Sequence, residues 1–280
     1  MKNAKTSLYS LESMIFDNAG VPGRLLVSVV RSIAYRRLQR LSIDSDGDYV
    51  NSQAEGVIVS PVADRTNFRL LRSRVVDYWF AEYTPKPGDI ALDVGAGIGQ
   101  DTLIFAKQVG TQGQVFSFEA NPVTARCLCK TVRRSGLQNV KTVAAAVIDR
   151  PGKVSIANSE AHVRNSLVEA DGGQMVDVPA LTLDDFVDQH HIQVVDLLKV
   201  NIEGAERQAL LGFRRNFNRV RHVAIACHDW IADLGHTERY RTLEFVREFL
   251  ESQGFVLKRR ADEKRPWIRD VLYGSRRGFA

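Results

Sequence analysis

The chain has 280 residues, 44% of them hydrophobic, with 38 basic and 33 acidic side chains and a net charge of +5. This length holds one large domain, or one domain plus an extension, with enough apolar material for a sizeable core. The basic excess is too small and too dispersed to indicate a nucleic-acid binder.

The first residues lead into no signal-peptide core and no apolar run reaches membrane-spanning length, so a cytoplasmic protein is expected. Residues 1–60 read as a separate extension, mostly helical. Ser10 to Phe16 fits one short helix, and Asn18 to Gly23 is a turn cluster. Leu26, Val30, Ile33, Arg37 and Leu41 then mark a helical face, with Arg24, Arg31, Arg36 and Arg40 around it. The preferred reading is a surface helix packed on the main domain. The alternative is peripheral contact of residues 24–41 with an anionic membrane surface. Ser42 to Gln53 is polar and turn-rich and reads as a linker, followed by a short strand from Glu55 to Ser60 that Pro61 ends. Asn67 to Tyr83 carries apolar residues at helical spacing.

The centre of the chain is Ile90-Ala91-Leu92-Asp93-Val94-Gly95-Ala96-Gly97-Ile98-Gly99. An apolar strand ends beside an acid, a glycine-rich turn follows, and a helix begins. Such a turn permits close backbone approach to a ligand and offers it the free N–H groups of a helix N-terminus. Glu119 stands twenty positions after Gly99 at the end of a second strand, where a carboxylate accepts hydrogen bonds from both hydroxyls of a ribose. The glycine pattern is G-x-G-x-G with Gln100 where a dinucleotide fold favours glycine, which argues against a nicotinamide-dependent oxidoreductase.

Asn121-Pro122 opens the next helix as N-cap and first helical residue, and Gly136 closes it. Cys127 and Cys129 on that helix point to different faces and make a poor metal pair; with Cys227 they read as free thiols of a reducing compartment, and no metal is expected. Val140 to Val147 is a third strand. Its small residues, Ala146 among them, leave space for a flat ring or for close helix packing. Residues 150–180 interrupt the strand–helix alternation as an irregular insertion, with a strand near Lys153 to Ile156. Val194 to Val200 is a buried-type strand that contains Lys199 and empties into Asn201-Ile202-Glu203-Gly204. The lysine needs a partner, Asp93 or Glu206, and the turn forms a wall where open α/β sheets bind ligands. His222 to Trp230 is a fifth strand with a polar end, and two closely connected strands at Phe255 and Asp270 suggest an antiparallel edge.

Asp93 to Gly99, Phe118-Glu119-Ala120-Asn121-Pro122, Leu181 to Asp184 and Val195 to Glu206 together resemble the FkbM-type methyltransferase family. The resemblance covers roughly Gly88 to Gly274 and implies an α/β fold with a doubly wound, mostly parallel seven-stranded sheet, Rossmann-like and of the class I methyltransferase type; the methyltransferase domain is expected over residues 61–280. It implies S-adenosylmethionine as cofactor, held by Asp93, Gly95, Gly97, Gly99 and Glu119, with Ala146 beside the adenine. The implied activity is methylation of a hydroxyl on a sugar, lipid or other natural product. This chain has Ala120 where the family usually has proline, Asn201 where it has aspartate, and Cys227 near a usual glutamate. An amide takes no proton. His228, at the carboxyl end of the fifth strand, is therefore the expected general base, with Lys199 and Asn201 positioning the acceptor and Glu203 as the next proton acceptor. A non-catalytic module that keeps the cofactor pocket is the other reading of Asn201 and Cys227.

Overall fold

The computed structural model describes residues 20–35, 38–64, 66–157 and 175–279. The expected helix at Ser10 to Phe16 and the middle of the 150–180 insertion lie outside them. Helix α1 (Gly20–Tyr35) is followed by strands β1 (Gln39–Ile43), β2 (Tyr49–Gln53) and β3 (Gly56–Ser60), an antiparallel three-stranded sheet. This corrects the reading of Ser42 to Gln53 as a linker. The polar residues of that stretch form a hairpin, because Asn51 and Gln53 find partners there: both side-chain amides donate to the carbonyl of Thr66. The sheet is not set apart either. Ile58 and Val59 share the core of the main domain with Phe68, Leu103 and Val115. The β3 edge is covered by side chains of the helix at Pro122–Arg134: Thr131 Oγ1 accepts from the Val59 N–H at 2.9 Å, and Ser135 Oγ from the Val57 N–H at 2.9 Å. Between β1 and β2, Asp44, Asp46 and Asp48 converge on the Lys130 ammonium of that helix.

Helix α2 (Phe68–Tyr78) is N-capped by Asn67, whose side chain accepts from the N–H groups of Arg69 and Leu70. The domain then alternates: β4 (Ile90–Val94), α3 (Gln100–Val109), β5 (Gln114–Phe118), α4 (Pro122–Arg134), β6 (Val140–Val143). Asn121 caps α4 as expected, accepting from Val123 and Thr124. The predicted third strand breaks after Val143. Its last residues form β7 (Ala146–Val147), which leaves the main sheet and pairs with the insertion strands β8 (Gly152–Ala157) and β9 (Met175–Leu181) in the order β7-β9-β8. The second half of the chain supplies α5 (Leu183–Gln189), β10 (Val195–Val200), α6 (Glu206–Leu211), β11 (Val220–Ala226), α7 (Asp229–Asp233), α8 (Leu243–Ser252), β12 (Phe255–Lys258), α9 (Pro266–Arg269) and β13 (Val271–Arg276).

The main sheet has seven strands in the order β12-β13-β11-β10-β4-β5-β6. The ladders from β11 to β6 are parallel, and β13 runs antiparallel to both β11 and β12. The reversed strand is thus one place in from the edge, inserted between β11 and β12. Both faces are apolar, as a covered parallel sheet requires. Leu92, Val94, Phe116, Leu198 and Val200 pack toward α5, α6 and α8, while Ala91, Val115, Leu197 and Ala224 pack toward α2 and α3. No helix among the described residues is long and apolar enough to cross a membrane.

Candidate active site

The site lies at the carboxyl ends of β4, β5 and β10, where the strand order reverses direction and an open sheet leaves a crevice. After β4 the chain turns through Gly95, Gly97 and Gly99, all with positive φ. The N–H groups of Gly95 and Ala96 donate to the Phe118 carbonyl at 3.0 and 2.9 Å, which seats the loop on the end of β5. Gly95 is required twice over. Its φ is 77°, and a Cβ there would stand 2.0 Å from the Asn201 carbonyl oxygen. A Cβ on Gly97 would meet nothing within 4 Å, because this residue faces the open cavity. Gly99 ends the loop as the N-cap of α3 and packs on Leu128 of α4.

Glu119 locks the loop from the neighbouring strand. Its Oε2 accepts from the Gly97 N–H and its Oε1 from the Asn121 N–H, each at 2.9 Å. Burial pushes its carboxyl above the usual carboxylate range, against those two hydrogen bonds and the attraction of Lys199. A carboxylate has about four acceptor positions. With two used by the backbone, Glu119 keeps capacity for a ligand's hydroxyls.

Beneath the loop, Asp93 and Lys199 are register partners on β4 and β10. Lys199 Nζ donates to Asp93 Oδ1 at 2.7 Å and to the Gly95 carbonyl at 2.7 Å, and Thr102 Oγ1 donates to Asp93 Oδ2 at 2.6 Å. Both side chains are buried. Neither lines the cavity, so their part is to brace the loop and not to touch an acceptor. This differs from the expectation that Asp93 holds the cofactor and Lys199 positions the acceptor: each is matched to the partner that its burial demands.

The turn after β10 carries Asn201, Ile202 and Glu203 into the cavity wall. Glu203 has φ 50°, strained for a residue with a side chain. Glu206 holds this turn. Its carboxylate is fully buried, accepts from the N–H groups of Ile202 and Gly204 and from Thr242 Oγ1, and lies 2.9 Å from His228 Nδ1. Burial works against charge on both partners. Their mutual attraction outweighs it, holding Glu206 below the usual carboxylate range and His228 above the usual histidine range. His228 is only 6% exposed and is not among the cavity-lining residues. His228, the expected general base, thus stands off the cavity lining, with its Nδ1 engaged by Glu206 behind the turn. Cys227, beside it, is buried, and burial raises its thiol so that it stays protonated.

The cavity has a volume of about 720 Å³. Gly95, Gly97, Glu119 and Ala146 line one part, with Ala145 and Val147 beside Ala146. Ile156 of the insertion also faces it. A further wall is formed by Arg74 and Tyr78 of α2, Asp101 of α3, and Trp267 and Ile268 of α9. Sequence reasoning missed this wall. No motif marks it, and its residues meet only through folding. Asp101 is committed there to the Trp79 indole N–H at 2.8 Å and to Arg74 at 3.3 Å.

The sequence profile of the methyltransferase FkbM domain matches residues 93–257. The chain belongs to the FkbM methyltransferase domain family. It is 30% identical over 110 residues to a protein-L-isoaspartate O-methyltransferase of Methanococcus aeolicus, covering 36% of this chain and 51% of that one. It is 25% identical over 158 residues to the 2-O-methyltransferase NoeI of Sinorhizobium fredii, covering 49% of this chain and 63% of that one. The chain thus spans between half and two thirds of these relatives' lengths. A crystal structure of methyltransferase FkbM from Methylobacillus flagellatus superimposes with a TM-score of 0.46 at 15% identity, over 74% of this chain and 57% of that one. The FkbM match begins at Asp93 and ends before α9, so the cavity-lining residues Arg74, Tyr78 and Trp267 lie outside the matched region.

Proposed function

We propose that this protein transfers a methyl group from S-adenosylmethionine to a hydroxyl of a small-molecule, glycan or lipid acceptor. The observation that carries this reading is the meeting of two elements in one cavity: the glycine loop latched by Glu119, and the Asn201–Glu203 turn. The residues present suit the cofactor. Gly97 opens onto free space, α3 begins beside it, Glu119 retains acceptor capacity, and Ala146 leaves room for a ring. The volume is within the range of about 300 to 1,000 Å³ usual for small-molecule sites.

When bound, the cofactor supplies an electrophilic methyl on a positively charged sulfur. Held by Glu119 and the glycine loop, it would offer that methyl to the acceptor oxygen, with the C–S electron pair left on sulfur. The chain's residues must align that oxygen and accept its proton. Glu203 is the proposed proton acceptor, because its carboxylate stands on the cavity wall in the same turn as Asn201. Asn201, on the same turn, offers an amide that donates to or accepts from the acceptor hydroxyl. Glu206 and His228 hold the turn in place.

Calorimetry with S-adenosylhomocysteine and with NAD tests the reading. Binding of the first and not the second is expected. Preferential binding of NAD would return the chain to the oxidoreductases, and S-adenosylhomocysteine binding without turnover on any hydroxyl acceptor would favour a non-catalytic module.

A further inference from the structure

We propose that helix α1 is an interfacial membrane anchor, laid on an anionic lipid surface through the apolar face it turns away from the protein. A helix that merely packs on a domain puts its apolar stripe inward. Helix α1 does the reverse. Val21, Leu25, Leu26, Val29, Val30 and Ile33 are between 45% and 74% exposed. Their spacing of three and four residues places them on one side of the helix. The side packed on the β1–β3 sheet is largely polar. Ser28 Oγ accepts from the Leu41 N–H at 3.0 Å, Ser32 Oγ accepts from the Gln39 N–H at 2.9 Å, and Arg31 Nε donates to Gln39 Oε1 at 3.0 Å. Val27 is the apolar contact, against Leu41. A contiguous stripe of large aliphatic side chains in water marks an interaction surface.

The charge of the segment identifies what covers it. Residues 20–41 contain no aspartate or glutamate, and besides the inward-turned Arg31 they carry Arg24, Arg36, Arg37 and Arg40. An apolar stripe within a segment of one positive sign suits anionic headgroups over an acyl boundary. A second copy of the chain would set that segment against its own charge. The sixteen residues of α1 are fewer than a bilayer crossing needs, which suits a contact in the plane of the interface. The mounting is firm. The β1–β2 connection is clamped on Lys130 of α4 by Asp44, Asp46 and Asp48, and β3 is bonded to Thr131 and Ser135. A membrane-bound α1 therefore holds the catalytic domain at the lipid surface. The inference stands whether or not the methyl-transfer reading does.

Flotation of the full chain tests it, using phosphatidylcholine vesicles with and without about a third phosphatidylglycerol at low and high salt. The chain should float with the anionic vesicles and lose much of that binding at high salt. The double variant Leu25→Glu, Val29→Glu alters only exposed positions and should unfold at the parental denaturant midpoint. It should lose at least about tenfold in vesicle partitioning. Failure to float on anionic vesicles, or equal flotation of a folded double variant, overturns the proposal. A dimer seen by light scattering, and dissociated by the same substitutions, would assign the face to a second copy and overturn it as well.

Discussion

Lys199 and Asp93 form a buried ion pair across neighbouring parallel strands, with Nζ 2.7 Å from Oδ1, directly beneath the glycine loop. The same ammonium donates to the Gly95 carbonyl. One lysine therefore joins the sheet to the loop, and its removal strands a carboxylate that water cannot reach.

Lys199→Met should lower stability by about 3–5 kcal/mol, the usual cost of leaving one partner of a buried pair uncompensated. The pairing with Asp93→Asn should restore part of the loss, because the stranded charge is then gone. Urea unfolding of the parent, both single variants and the double variant measures this. A Lys199→Met loss below about 1 kcal/mol would show that the pair is not the brace described here.

Gly95 and Gly97 should respond differently to alanine. At Gly95 the added carbon collides with the Asn201 carbonyl, so Gly95→Ala should disrupt the loop and unfold at clearly lower denaturant. At Gly97 there is open space, so stability should fall only by the backbone strain of about 1–2 kcal/mol. The methyl group nevertheless enters the cavity, and S-adenosylhomocysteine affinity should drop. Equal effects of the two substitutions on stability would contradict this division.

Glu119→Ala should weaken S-adenosylhomocysteine binding by about 2 kcal/mol or more, as for charge-assisted hydrogen bonds. Burial raises this carboxyl, and its ionised form is the better acceptor for ribose hydroxyls. Affinity should therefore fall as pH is lowered through a value above the ordinary carboxylate range, and the pH dependence should vanish in Glu119→Gln. Calorimetry across mildly acidic pH gives both results. Affinity unchanged by either substitution would remove Glu119 from the cofactor site.

The Glu206–His228 pair predicts a stability profile. His228 is raised in the folded state, so its contribution is complete below the unfolded histidine pKa and is lost as pH rises through the raised value. Glu206 is lowered, so its contribution is complete above the unfolded glutamate pKa and is lost as pH falls through the lowered value. Stability should thus peak in the mildly acidic window between these limits. His228→Gln should flatten the alkaline side of the profile. A parental slope in that variant would place the dependence elsewhere.

Turnover should separate the two candidates for proton removal. Glu203→Gln should reduce kcat by about 100-fold or more while leaving S-adenosylhomocysteine affinity near parental, as for loss of a general base. His228→Ala should instead lose activity together with stability, because it leaves the buried Glu206 carboxylate, which holds the turn, without its charge partner. Parental kcat in Glu203→Gln would mean that the proton leaves by another route.

Much of this protein was determined by local sequence. The glycine loop, the Asn121 cap, the buried strands and the position of Glu119 follow from backbone preferences and from alternation within a few residues. Those constraints act within one element and can be read along the chain. Partner choice cannot. The sequence showed that Lys199 needed an acid, yet only the β4–β10 register chose Asp93. It placed Glu203 and Glu206 close together, and only the fold turned one into the cavity and the other back onto His228. It marked the apolar positions of α1, but their helical spacing was the same whether they faced in or out. The hairpin after the helix decided the matter by offering Gln39 and Leu41 backbone groups to Ser28 and Ser32. The wall of Arg74, Tyr78 and Trp267 had no signature at all, since residues far apart in the chain acquire a common surface only when the sheet brings their helices together.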